Sequence, residues 1–156
     1  MRLTVLTDYA MRLLMFVGNR PDRLCTIGEI ARAHDISEAH LMKVTNQLAR
    51  LGYLETVRGK GGGMRLAKKP EDINVGTVVR HLEPDFGLVQ CFDNPGACRL
   101  SGQCELTSIL RRALAAFMNE LDQHTLRDLL SASAPEFSVI SCDTLQTQGP
   151  IEQVGP

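Results

Sequence analysis

The chemistry-bearing residues of this 156-residue chain are its five cysteines, Cys25, Cys91, Cys98, Cys104 and Cys142. Three of them fall within fourteen consecutive residues, separated by intervals of six and then five. The stretch around them, residues 83–106, carries Pro84, Gly87, Pro95, Gly96 and Gly102 and few long apolar side chains, so it reads as a functional loop. Thiolates spaced in this way can converge on one metal centre. Structural zinc favours paired Cys-x-x-Cys knuckles with a nearby fourth Cys or His. No knuckle is present, and the closest histidines are His81 and His124. Iron–sulfur clusters accept longer and more varied spacings, usually with four ligands. An iron–sulfur cluster, zinc and unmetallated thiols therefore all remain open on spacing alone, with the cluster favoured. Cys25 reads as structural and Cys142 as incidental.

An odd cysteine count without a signal peptide suits a reducing cytoplasm rather than a disulfide framework. No apolar run approaches the roughly 20 residues of a membrane span. Trp is absent and Tyr and Phe number only 2 and 5, which argues against stacking on single-stranded nucleic acid. The net charge of −1 conceals an asymmetry: residues 1–70 hold 12 basic and 6 acidic residues, residues 71–156 hold 5 and 12. The first half can therefore face a polyanion.

The elements that must position these groups are mainly helical. Residues 7–17 form an amphipathic helix capped by Thr7 or Thr4. Thr26 caps a second helix, with Glu29 completing a capping box. Ser37 caps a third, whose Leu41, Val44, Leu48 and Leu51 face inward until Gly52 ends it. The pattern then alternates: residues 53–57 and 64–67 read as strands around the turn RGKGGG. Helix-turn-helix followed by a hairpin is a winged helix, placing residues 1–82 in a DNA-binding domain. On the third helix Ser37, His40, Lys43 and Gln47 are candidates for the major groove and Arg50 for phosphate. The three glycines allow the wing tip to lie close to another backbone, and Arg58 and Lys60 suit it to the minor groove. Arg65, Lys68 and Lys69 stand around and behind that tip.

Asn74 caps a fourth helix that ends before Pro84. After the cysteine loop (83–104), residues 105–121 form a long helix with an apolar stripe of Leu106, Ile109, Leu110, Ala113, Leu114, Phe117 and Leu121. That stripe exceeds what a small domain can cover, so a homodimer on a palindromic duplex operator is expected. Thr125 caps a short helix, 126–130, and residues 133–156 read as a disordered tail. A cysteine enzyme, with Cys104 or Cys91 as nucleophile and His81 or His124 as base, lacks an orienting third group at recognisable spacing. The chain is read as a non-enzyme.

Taken together, MRLT at the start, Thr7-Asp8-Tyr9, VRGKGGGMRL, VVRHLEP, the three loop cysteines and ELDQHTLRDLL resemble the iron–sulfur winged-helix repressors of the NsrR/IscR family. The likeness spans about residues 1–132 and is nearest to the nitric-oxide-sensing branch. It implies a cytoplasmic, dimeric repressor with a [4Fe–4S] cluster, or alternatively a [2Fe–2S] cluster, on Cys91, Cys98 and Cys104. In one branch a His three residues after the last cysteine is the fourth ligand, but Thr107 stands there. In the nitric-oxide branch an Asp near the start of the first helix, matching Asp8, is the implied fourth ligand from the partner subunit. Nitric oxide would then break up the cluster and release operator DNA. The six-residue first interval, where that branch more often has five, keeps an iron- or cluster-status regulator of the same fold as the alternative.

Overall fold

The computed structural model describes residues 2–94 and 104–130. Seven α-helices and one two-stranded hairpin follow in the order α1 (Val5–Gly18), α2 (Ile27–His34), α3 (Glu38–Arg50), β1 (Leu54–Val57), β2 (Gly63–Leu66), α4 (Val75–Leu82), α5 (Gln90–Asp93), α6 (Glu105–Asp122) and α7 (Leu126–Leu129). A 3₁₀ turn, Pro70–Asp72, joins β2 to α4. No described helix is long and apolar enough to cross a membrane.

The helix starts are set by local chemistry. Thr4 caps α1 by accepting from Thr7 N, so the helix begins two residues before the expected position. Thr26 and Glu29 form the full capping box of α2, and Ser37 caps α3 by accepting from His40 N at 3.3 Å. Each such cap satisfies amide donors that the first helical turn leaves unpaired.

The core lies between the first three helices and the hairpin. Ala10, Leu13, Leu14 and Val17 of α1 meet Ile30 of α2 and Leu41, Val44 and Leu48 of α3, all buried. Tyr53, Leu54 and Met64 close it from the hairpin side, and Ile73, Val78 and Leu82 from the α4 side. The last short helix returns to this core: Leu126 is fully buried, and its amide donates to Ile73 O at 2.7 Å.

β1 and β2 pair antiparallel with Leu54 opposite Leu66 and Val57 opposite Gly63. A third chain segment, absent from the sequence expectation, joins them. Cys25 bridges Met64, with N–H···O distances of 2.9 and 2.8 Å. Two of the three glycines are needed for different reasons, Gly61 for its backbone angle and Gly63 for this bridge. Gly61 sits at φ +80°, a left-handed conformation that favours glycine. A Cβ on Gly63 would lie 2.7 Å from Cys25 O, so that glycine admits the neighbouring backbone of this same chain.

The segment read as a continuous loop after α4 contains the one-turn helix α5, which carries Cys91. The long helix α6 is present, but only Met118 on it is buried. The expected apolar stripe stays exposed or half-buried, with Leu106 at 58% and Ile109 at 47% exposure. Against the rest of the chain α6 is held at its C-terminal end instead. Arg80 of α4 grips Asp122 with both guanidinium nitrogens, and Asn74 Nδ2 donates to Asp122 O at 2.7 Å. A side chain on Gly76 would run into the Asp122 carboxylate. The tail expectation, 133–156, falls outside the described residues.

Candidate nucleic-acid interface and cysteine site

Two candidate sites occupy different parts of the molecule. The first is the outer surface of α3 and the hairpin. At about 100° per residue, the buried positions Leu41, Val44, Thr45 and Leu48 define one face of α3, and Ala39, Lys43, Asn46 and Arg50 lie on the opposite, exposed face. None of the ion pairs among the described residues engages Lys43, Arg50, Arg58 or Lys60. Their charge is therefore directed to solvent, the arrangement a phosphate-binding surface needs. Arg65 differs. It pairs across the hairpin with Glu55 at 2.8 Å, which raises the guanidinium pKa and holds the Glu55 carboxyl below its ordinary range.

Of the seven residues expected to touch DNA, Ser37, His40, Lys43, Gln47 and Arg50 lie along α3 and Arg58 and Lys60 at the wing. Ser37 caps the helix, and its Oγ lies 3.0 Å from His40 Nδ1. The His40 ring in turn tilts against Tyr9 of α1, with centroids 6.1 Å apart. Gln47, on the same flank, is half-buried. The opposite flank of α3 opens into a groove of about 440 Å³ against the hairpin, lined by Met42, Thr45, Asn46, Thr56, Val57 and Arg58 among others. Of the seven, only Arg58 borders this groove. Met42 and Asn46 occupy exposed positions of α3. Their alignment with the wing depends on the docking of hairpin to helix, which helical periodicity does not encode.

The second site joins α5 to the start of α6. Cys104 is the N-cap of α6, and the neighbouring Thr107, first through its hydroxyl and then its amide, draws the thiol below its ordinary value. Cys91 Sγ lies 3.5 Å from the same Thr107 hydroxyl. The Arg111 guanidinium stands 4.9 Å over the Phe92 ring and fixes α5 against α6. Both half-buried cysteines thus stand near Thr107, whose hydroxyl lies within hydrogen-bonding distance of Cys91. Cys98 falls outside the described residues. Among the described residues no group of three His, Cys, Asp or Glu is preassembled as a metal site.

Asp8 sits in the first turn of α1, where it pairs with Arg12 at 2.9 Å. Neither candidate base approaches the cysteines: His81 Nδ1 is 2.8 Å from Tyr53 Oη, and His124 Nε2 is 3.4 Å from a Glu120 carboxylate oxygen.

Comparison with known proteins gives the family. The family model Rrf2, described as an iron-dependent transcriptional regulator, matches residues 3–132. The chain is 51% identical over 132 residues to the HTH-type transcriptional regulator NsrR of Bacillus subtilis, covering 83% of this chain and 90% of that one. It is 48% identical over 132 residues to the regulator of the same name from Bacillus licheniformis, covering 83% and 92%. Among solved structures, T. potens IscR has the same fold, with a TM-score of 0.67 at 22% identity over 83% of this chain and 85% of that one. The chain belongs to the Rrf2 family of transcriptional regulators, and its winged helix is the family's DNA-binding fold.

Proposed function

We propose that this chain is a dimeric, cytoplasmic repressor that senses nitric oxide through an iron–sulfur cluster of the [4Fe–4S] type. The observation that carries the reading is geometric: α5 carries Cys91 to within 3.5 Å of the hydroxyl of Thr107, one turn into the helix that Cys104 caps. The likeness to regulators named NsrR supports the signal. Cys91, Cys98 and Cys104 would hold the cluster together with Asp8 of the partner subunit. Bound there, it supplies an iron open to a small diatomic, because a hard carboxylate is a weak partner for iron held otherwise by sulfur.

The chain's own residues supply the transmission. Glu83, at the mouth of the loop, accepts from Thr4, which caps the helix bearing Asp8. Movement of the loop therefore pulls on α1, and α1 packs directly on α3. The other end of α6 is tied to α4 through Arg80 and Asp122. The exposed stripe of α6 is the surface on which two subunits would pair, setting the separation of two α3 helices on a two-fold operator. An altered pairing changes that separation and lowers affinity.

The test is anaerobic purification, then absorption spectroscopy and iron and sulfide analysis before and after stoichiometric nitric oxide. Brown protein with about four irons per chain, bleached as operator binding disappears, is the expected result. Colourless protein that binds DNA equally well without metal overturns the sensor assignment. The six-residue interval between Cys91 and Cys98 favours a second reading, an iron- or cluster-status regulator of the same fold. Release of DNA by iron chelation but not by nitric oxide would select it.

A further inference from the structure

The groove between α3 and the wing contains two groups that the charge argument leaves unused. Met42 is 52% exposed and Val57, across the groove, 44% exposed, so apolar side chains face water beside Arg58. Asn46 lies one turn after Met42 on the same flank and is also exposed. Arg58 closes the groove at the wing. The major groove of DNA offers one apolar feature, the C5 methyl of thymine. Adenine offers a donor–acceptor pair, N6 and N7, that an asparagine amide matches with two hydrogen bonds.

We propose that Met42 and Asn46 are specificity-determining residues, reading A·T pairs in the operator: Met42 packs on a thymine methyl and Asn46 takes an adenine edge. The inference rests on α3 and the wing being the DNA face. His40, bonded through Nδ1 to Ser37 and packed on Tyr9, and the half-buried Gln47 lie on the other flank of α3, away from this groove. Four helical residues advance about 6 Å along the axis, and base pairs are stacked about 3.4 Å apart. The two side chains therefore address A·T pairs roughly two steps apart. Lys43 and Arg50, on the adjoining strip of helix, fall to the phosphates.

The experiment uses the full chain, purified anaerobically, and a pool of duplexes with a randomised core. Selection yields the preferred sequence, into which uracil is then placed for thymine one position at a time, removing only the methyl group. At one half-site position uracil should weaken wild-type binding about fourfold, and Met42→Ala should no longer sense that change. Asn46→Ala should lose roughly tenfold discrimination at one adenine. Both variants should keep wild-type affinity for a mixed-sequence duplex at low salt, which also shows that they are folded. If uracil at every selected position costs Met42→Ala as much as wild type, and Asn46→Ala keeps its preferences, the proposal is overturned. Lys43→Ala and Arg58→Ala separate the two levels. Should neither weaken binding to any duplex, α3 and the wing are not the DNA face and the earlier reading fails first.

Discussion

Glu83 and Thr4 stand 79 positions apart in the chain, and a single carboxylate oxygen of Glu83 accepts from both the amide and the hydroxyl of Thr4, at 2.8 and 3.1 Å. Thr4 is at the same time the cap of α1. One side chain thus joins the entry of the cysteine loop to the start of the helix that carries Asp8.

Removing that acceptor leaves two donors to find water. Glu83→Ala should lower stability by about 1–2 kcal/mol, the scale of a partly buried bond to a charged group, and Glu83→Gln should recover part of it. Urea denaturation of the three proteins gives the answer. An alanine variant within about 0.5 kcal/mol of wild type would show that the joint is incidental.

Acid should destabilise the fold in two stages. Burial holds the His34 imidazole below its ordinary pKa, so the unfolded chain binds a proton that the folded chain resists. Stability from this group is present above the unfolded value near 6.5 and declines as pH falls from there through the lower folded value. Asp122 beside Arg80, Asp128 at the Thr125 amide and Glu29 at the Thr26 amide are all held below the usual carboxylate range. Their contribution is complete above about pH 4 and is lost as pH falls through the folded values. The urea midpoint measured from pH 7 to pH 3 should show both declines, and His34→Gln should remove only the upper one.

Leu126 is the test of whether α7 is part of the winged-helix unit. Its side chain is fully buried in the core built by α1, α3 and the hairpin. Leu126→Ala should cost 2–5 kcal/mol, typical of a core leucine. A loss below about 1 kcal/mol, seen by thermal or chemical unfolding, would mean that α7 merely rests on the surface.

Arg58 is exposed at the wing and has no acidic partner among the described residues. Arg58→Ala should weaken binding to all duplexes and lessen the slope of log affinity against log salt by about 0.9 if it neutralises one phosphate. Fluorescence anisotropy across a salt series reads both quantities. An unchanged slope would remove the wing from the phosphate contacts.

What was legible in sequence was what is local. Thr26 and Glu29 are three residues apart, and their capping box needs nothing but that spacing. The apolar positions of α3 follow from helical period alone. What was not legible is pairing across distance. Cys25 joins Met64 through backbone groups that look alike in every residue, so no side-chain pattern announces the third segment of the sheet. The glycine run was read as allowing close approach of another backbone, and at Gly63 that backbone is Cys25 of this same chain. On α6, the apolar stripe drew attention away from Met118, the one buried residue of that helix. Asp8 shows the same limit at the candidate site. Sequence places it in the first turn of α1, four residues before the Arg12 it pairs with, but a ligand role shared with a partner subunit is not written in either residue's spacing.

The bridge between Cys25 and Met64 also makes an internal clock. Cys25 is fully buried and its thiol is pushed up by desolvation, whereas Cys104 is drawn towards thiolate. An alkylating reagent added to cluster-free protein reaches the half-buried Cys104 readily, but reaches Cys25 only when the hairpin parts from the segment before α2. The rate at which Cys25 is captured therefore times the opening of the wing, within the same molecule and without any introduced label.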